Sequence, residues 1–230
     1  MRMGFVKGGG LFLLMGLWFS HCARYSHVQH GETFIYQYVR KGVEIGTEAF
    51  TLEAKGKHLI VKSDLTIGEG AQHQRGNSEL VLEKNGEPVA YSRRLEVELP
   101  EVPDQSGLWE LRYIFHGKTV TGAVTKDGSP HWEGTIGIEK KALYCIDNNA
   151  LSLLAVLVKA IYPELRGKAV YSVKAFHFSE ARMRDVTLRE VRDGVYNCRI
   201  EGMDTGDLSI RDGMLLKHED PTRQLVIRLK

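Results

Sequence analysis

The chain has 230 residues, 43% of them hydrophobic and 26% charged, with a formal charge of +2. That is globular composition, enough for one large β domain or two small ones, and it argues against a nucleic-acid partner. The two signs of charge are interspersed rather than blocked, as on a solvated surface.

Residues 1–23 read as a leader rather than as part of the fold. Arg2 and Lys7 make a basic start, and Leu11 to Phe19 make an apolar run of secretory-signal length, too short for a comfortable membrane span. Its end reads in two ways. One is a cut before Ala23, with Ser20 and Cys22 at the recognition positions, or an uncut anchor. The other is Cys22 as the lipid-attachment cysteine of a bacterial lipoprotein, although His21 stands where Gly or Ala is usual. Either way the expected location is exported: periplasmic, or anchored on the periplasmic side, with the membrane reached only through the leader or a lipid anchor.

From Thr33 onward the chain alternates with period 2. Phe34, Tyr36 and Tyr38 share a face, Lys41-Gly42 is a tight turn, and Val43 to Ala54 continues with Gly46 inside it. Such a glycine marks a bulge or a close backbone approach. After Lys55-Gly56, Lys57 to Ile67 aligns Leu59, Val61, Leu65 and Ile67. Gly68 to Asn77 reads as a polar loop. Strands resume on either side of Asn85-Gly86, the strongest hairpin signal in the chain. Pro100 to Gly107 is a further loop. Trp109, Leu111, Tyr113 and Phe115 then give an aromatic face, and Gly117 and Asp127-Gly128 turn into two more strands, the second carrying Trp132.

The one long helix expected is Asp147 to Tyr162, with Asp147 or Asn148 as cap and Pro163 as stop. Leucines, valines and Ile161 cover most of it. Asn148, Ser152, Ala155 and Lys159 form a narrow stripe, expected to be the side that meets water. Strands return from Lys168 to Leu229, with turns at Ser179-Glu180, Asp193-Gly194 and Asp212-Gly213. Consecutive hairpins without helical crossovers rule against a parallel α/β fold. The expected fold is therefore mainly β: residues 31–230 as a single antiparallel domain, a half-barrel or open barrel, with one buried helix inserted at 147–162.

Motifs that carry chemistry are missing. There is no HExxH, paired CxxC, EF-hand loop, GxSxG or GxxxxGK[ST], so no cofactor, metal or catalytic residue is assigned. His27 and His30 read as a surface pair. Ser172, His177 and Asp185 supply triad chemistry only if the fold assembles them. Arg93 shares a face with Tyr91 and Leu95, an unusual place for a charge. Either that face is solvated, the preferred reading, or it lines a polar cavity. An oxidising compartment permits a Cys145–Cys198 disulfide; two buried free thiols are the alternative.

The pattern Tyr38-Val39-Arg40-Lys41-Gly42-Val43-Glu44-Ile45-Gly46, followed by a helix near two thirds of the chain and a returning set of strands, resembles uncharacterised exported bacterial β proteins. These in turn look distantly like the half-barrel carriers that ferry lipoproteins across the periplasm. The resemblance carries over no catalytic residues. It implies a non-enzymatic protein that binds a lipid, another apolar ligand or an envelope protein between curved sheet and helix, with Trp109, Tyr113, Phe115, Trp132, Leu154 and Leu157 as lining. The alternatives are a secreted hydrolase with a site assembled across strands, and a structural or partner-binding module with a solid core.

Overall fold

Alternating apolar and polar residues commit a strand to one buried face, and a succession of short turns commits neighbouring strands to antiparallel pairing. A computed structural model describes residues 31–138, 144–147 and 150–230. The leader with Cys22, the His27 and His30 pair, and Asn148 lie outside the described residues. Eight strands run as a meander: β1 (Glu32–Arg40), β2 (Val43–Lys55), β3 (His58–Glu69), β4 (Gln72–Glu83), β5 (Pro88–Glu98), β6 (Gly107–His116), β7 (Thr119–Lys126) and β8 (Ser129–Gly137). A two-residue strand, β9 (Cys145–Ile146), precedes helix α1 (Leu151–Leu165). The return comprises β10 (Val170–His177), β11 (Arg182–Arg192), β12 (Val195–Ile200), β13 (Met203–Arg211), β14 (Met214–Asp220) and β15 (Leu225–Leu229).

All fifteen strands belong to one open sheet. β1 lies at its centre, pairing with β2 on one side and β15 on the other, so that Tyr36 faces both Glu48 and Leu229. The chain works outward to β8 at one edge, crosses to β9 at the other, and returns through β10 to β15. Among the described strands only the β9–β10 pairing is parallel. The segment expected to be a polar loop is instead an extended hairpin, with Gly68 opposite His73 and Asp64 opposite Asn77. Its strands run past the core, so neither face carries the apolar rhythm that would mark them.

A sheet this large must curl. Gly46 on β2 and Gly76 on β4 flank β3. A methyl group on either would collide with the neighbouring backbone, at the Thr66 or the Arg94 carbonyl oxygen. The expected close approach at Gly46 is therefore real.

The concave face encloses α1, which packs on β2, β9 and β14. At 1.5 Å per residue it is about 22 Å long. No described helix is long and apolar enough to cross a membrane. Its start differs from expectation. Ala150 stands at the cap position without a side-chain bond, and the first-turn amides are satisfied from the sheet. Glu48 on β2, fully buried, accepts hydrogen bonds from the amides of Leu151 (3.0 Å) and Ser152 (3.1 Å) and from the Tyr38 hydroxyl (2.8 Å). Its charge also suits the positive end of the helix dipole. Pro163 falls inside the last turn and does not stop the helix. So late in a helix it forfeits a single backbone bond.

The polar stripe is not the water side. Ser152 and Ala155 are buried with the leucines, and Lys159 is half-buried, reaching Glu32 at 2.9 Å across the Phe34 ring. Ser152 and Ala155 face the packed interior, and the solvent-exposed residues of the helix are Pro163 and Glu164 in its last turn. The expected disulfide is also corrected: Cys145 and Cys198 are free, buried thiols. They lie on β9 and β12, three strand spacings apart, or about 14 Å at ~4.8 Å each, where a bridge needs Cα atoms within ~7 Å.

Candidate functional site

The inward row of β5 is Tyr91, Arg93, Leu95 and Val97, all buried, while Ser92, Arg94, Glu96 and Glu98 point outward. Where this row meets β6, β7 and β8, the concave face is not filled by the helix. A cavity of about 560 Å³ opens there, closed on its far side by the β10–β11 turn. Its walls are Leu95, Val97, Leu99, Trp109, Leu111, Tyr113, Val124 and Trp132, and Ser179, Glu180 and Ala181 of the turn face them.

The aromatic wall has a cause in the backbone. Gly122 on β7 has no side chain, so the Tyr113 ring lies over it from β6. An added methyl would overlap that ring and come within 2.9 Å of the Trp132 indole. Tyr113 donates its hydroxyl hydrogen to the Phe178 carbonyl (2.9 Å), and Tyr91 stacks on the Phe178 ring at 3.6 Å. These bonds hold the turn from the second half of the chain against the first half. Trp109 stands at the mouth. Its indole N–H donates to the Gln105 carbonyl (3.1 Å), and its ring meets the edge of His131.

The inner end of the cavity is ionic. Arg93, 6% exposed, donates to the Asp147 carboxylate at 2.8 Å. Asp147 also accepts hydrogen bonds from the Tyr91 hydroxyl (3.3 Å) and from the Ser179 hydroxyl. Glu180 is paired with Arg184, with Arg182 (3.1 Å) and, at longer range, with His177 (3.8 Å). Burial would pull the Arg93 guanidinium down, but Asp147, Tyr91 and Glu48 overcome it and raise it. Burial, with the charge of Asp147, pushes the Tyr91 phenol well up and that of Tyr113 up to about 12. His177 is held below its ordinary value by burial and by Arg184 and Arg182, against the opposing pull of Asp147.

Of the expected lining residues, Trp109, Tyr113 and Trp132 share the cavity. Phe115 does not: it packs edge-on against Phe176 and Phe178 in the core behind it. Leu157 is buried in the helix core and Leu154 packs half-buried against it, so neither lines the cavity. Where the helix faces Phe34, Tyr36 and Phe50, the free space is about 20 Å³, room for roughly one water. The larger free space therefore lies at the β5–β8 wall and not beside the helix, because the apolar helix fills its own part of the concavity.

Arg93 takes the reading that was not preferred: the face it shares with Tyr91 and Leu95 is buried and lines the cavity. The signal was its position in the alternation; what the sequence could not supply was its partner, Asp147. The contribution of Ser179 to Ala181 left no signal beyond that of a turn. Ser172, His177 and Asp185 do not assemble. Ser172 is exposed and shares a hydrogen bond with Thr187, Asp185 is exposed and pairs with Lys174, and His177 lies five residues along β10 from Ser172, about 17 Å away. Among the described residues no three His, Cys, Asp or Glu side chains converge as a metal-holding group.

No protein-family model and no curated protein matches the chain. Two solved structures resemble it. A β-barrel-like protein of the domain of unknown function DUF1849 from Brucella abortus superposes with a TM-score of 0.51 at 11% identity, over 87% of this chain and 95% of that one. A DUF1089 family protein from Pseudomonas aeruginosa gives 0.47 at 11% identity, over 91% and 96%. The first likeness shows the fold: a mainly β chain whose described residues form one large, curved, open sheet with a single α-helix.

Proposed function

We propose that this chain is an exported, non-enzymatic binding protein that holds an apolar ligand between the β5–β8 wall and the β10–β11 turn. The observation that carries the reading is the shared placement of Trp109, Tyr113 and Trp132 on one wall of a cavity of about 560 Å³. That volume lies in the range of small-molecule sites, ~300–1,000 Å³, and a mostly apolar lining with a few placed polar groups is their usual character. Export rests on the basic and apolar leader of residues 1–23, with anchoring through that leader or a lipid on Cys22. The pattern resemblance to periplasmic lipoprotein carriers supports a carrier role by analogy only.

The test is native mass spectrometry of protein taken gently from the cell envelope, beside the same protein after delipidation. A bound species of constant mass is expected in the first, lost in the second, and reduced when Val124→Phe narrows the cavity. If all three preparations show only the mass of their own polypeptide, with no bound species, the reading is removed.

A further inference from the structure

Resting on the proposed cavity, we infer that its ligand is an uncharged amphiphile: an apolar tail along the Trp109–Trp132 wall and a neutral, hydrogen-bonding head. The reason is the charge inventory of the lining. Its buried cation, Arg93, is already matched by Asp147 at 2.8 Å, and the two side chains are 5% and 0% exposed. Its carboxylate, Glu180, is already matched by Arg184 and Arg182. An anionic head placed there meets Glu180 and must displace Asp147 to gain Arg93. A cationic head must displace an arginine from Glu180. The anionic exchange leaves the buried Asp147 carboxylate without its cation, which costs more than the new pair returns, and a cationic head meets a carboxylate that two guanidiniums already hold.

Neutral groups suffer no such conflict. Gln74, opposite Val97 on the neighbouring strand, and Gln105, just before β6, line the cavity and bring side-chain amides with both donors and acceptors. Ser179 spends its hydroxyl hydrogen on Asp147 and keeps lone pairs that accept a bond from a ligand hydroxyl. Hydroxyls and ester or amide carbonyls match this set; a carboxylate or an ammonium does not.

Trp109 and Trp132 report on occupancy, and replacing Trp18 in the leader by Phe leaves them as the sole indoles. The probes are three nitroxide-labelled chains of equal length, a monoacylglycerol, a fatty acid and an alkyl trimethylammonium, each added below its aggregation concentration at pH 8. The monoacylglycerol is expected to quench saturably at a concentration at least ten times lower than either charged probe. Gln74→Lys, at the half-exposed rim, adds an unmatched cation and is expected to shift preference toward the fatty acid by about tenfold. Equal or tighter quenching by a charged probe in the parent protein, or an unchanged preference in Gln74→Lys, overturns the neutral-head inference and leaves the cavity reading standing. No saturable quenching by any probe overturns both.

Discussion

The carboxylate of Glu48 accepts the backbone hydrogen of Leu151 at 3.0 Å, although the two residues are 103 positions apart. A strand in the first half of the chain thus caps the helix of the second half. Glu48 also takes the amide of Ser152 and the hydroxyl of Tyr38, so its buried charge is met by three donors and by the helix dipole. Glu48→Ala leaves all three donors buried and unmet. The expected loss is about 2–4 kcal/mol, a lost cap plus unsatisfied polar groups, read from urea unfolding midpoints. A loss under about 0.5 kcal/mol means the helix start is held by something else.

Arg93 and Asp147 form the second cross-chain link. Arg93→Ala and Asp147→Ala should each cost about 3–5 kcal/mol, because each strands a buried charge. The double variant Arg93→Ala/Asp147→Ala should lose much less than the sum, since it removes both charges and strands neither. Additive losses in the full cycle would show that the two do not act as a pair.

Acid should weaken the fold through His177 and His218, both held below the ordinary histidine value, first of all by burial. In the unfolded chain each takes up a proton near pH 6.5, while in the folded protein it stays neutral to lower pH. The unfolded state therefore binds more protons in that interval, and stability rises with pH there. Their contribution is complete above about pH 6.5 and is lost progressively as pH falls toward the folded values. Thermal midpoints measured from pH 7.5 to 5 should drop, and the drop should be shallower in His177→Gln/His218→Gln. An equal slope in the double variant would assign the acid response to other groups.

Cys145 and Cys198 should resist a water-soluble thiol reagent in the native protein and react only in denaturant. Both are buried; burial pushes the Cys198 thiol up to about 11 and Cys145 higher still, so neither presents a thiolate. The Cys22→Ser protein makes the count unambiguous. Two thiols released by urea without reductant are expected; none would restore the disulfide.

Gly76→Ala on β4 is expected to destabilise by about 1–3 kcal/mol through overpacking, because the added methyl meets the Arg94 carbonyl and the Leu95 side chain. Ala at Gly137, where the added methyl meets nothing within 4 Å, is the matched control and should be near neutral. Chemical unfolding of the two variants side by side decides it.

Much of the architecture was legible in the order of residues. Period-2 alternation and glycine turns are local signals, and they specify antiparallel neighbours strand by strand: Tyr91, Leu95 and Val97 inward, Arg94 and Glu96 outward. An apolar stretch such as Leu151 to Ile161 likewise announces a buried helix. The tertiary structure decided what depends on residues distant along the chain. Asp147 was expected to cap the helix because it is adjacent in sequence, yet Arg93, Tyr91 and Ser179 claim it and Glu48 takes its place. A polar stripe ordinarily faces water, but the curled sheet takes up the face that carries Ser152, and Lys159 is left half-buried against Glu32. The location of the free space was equally hidden. Side-chain type shows which residues are apolar, and only the packing of α1 into one part of the concavity leaves the part beside Trp109 and Trp132 open.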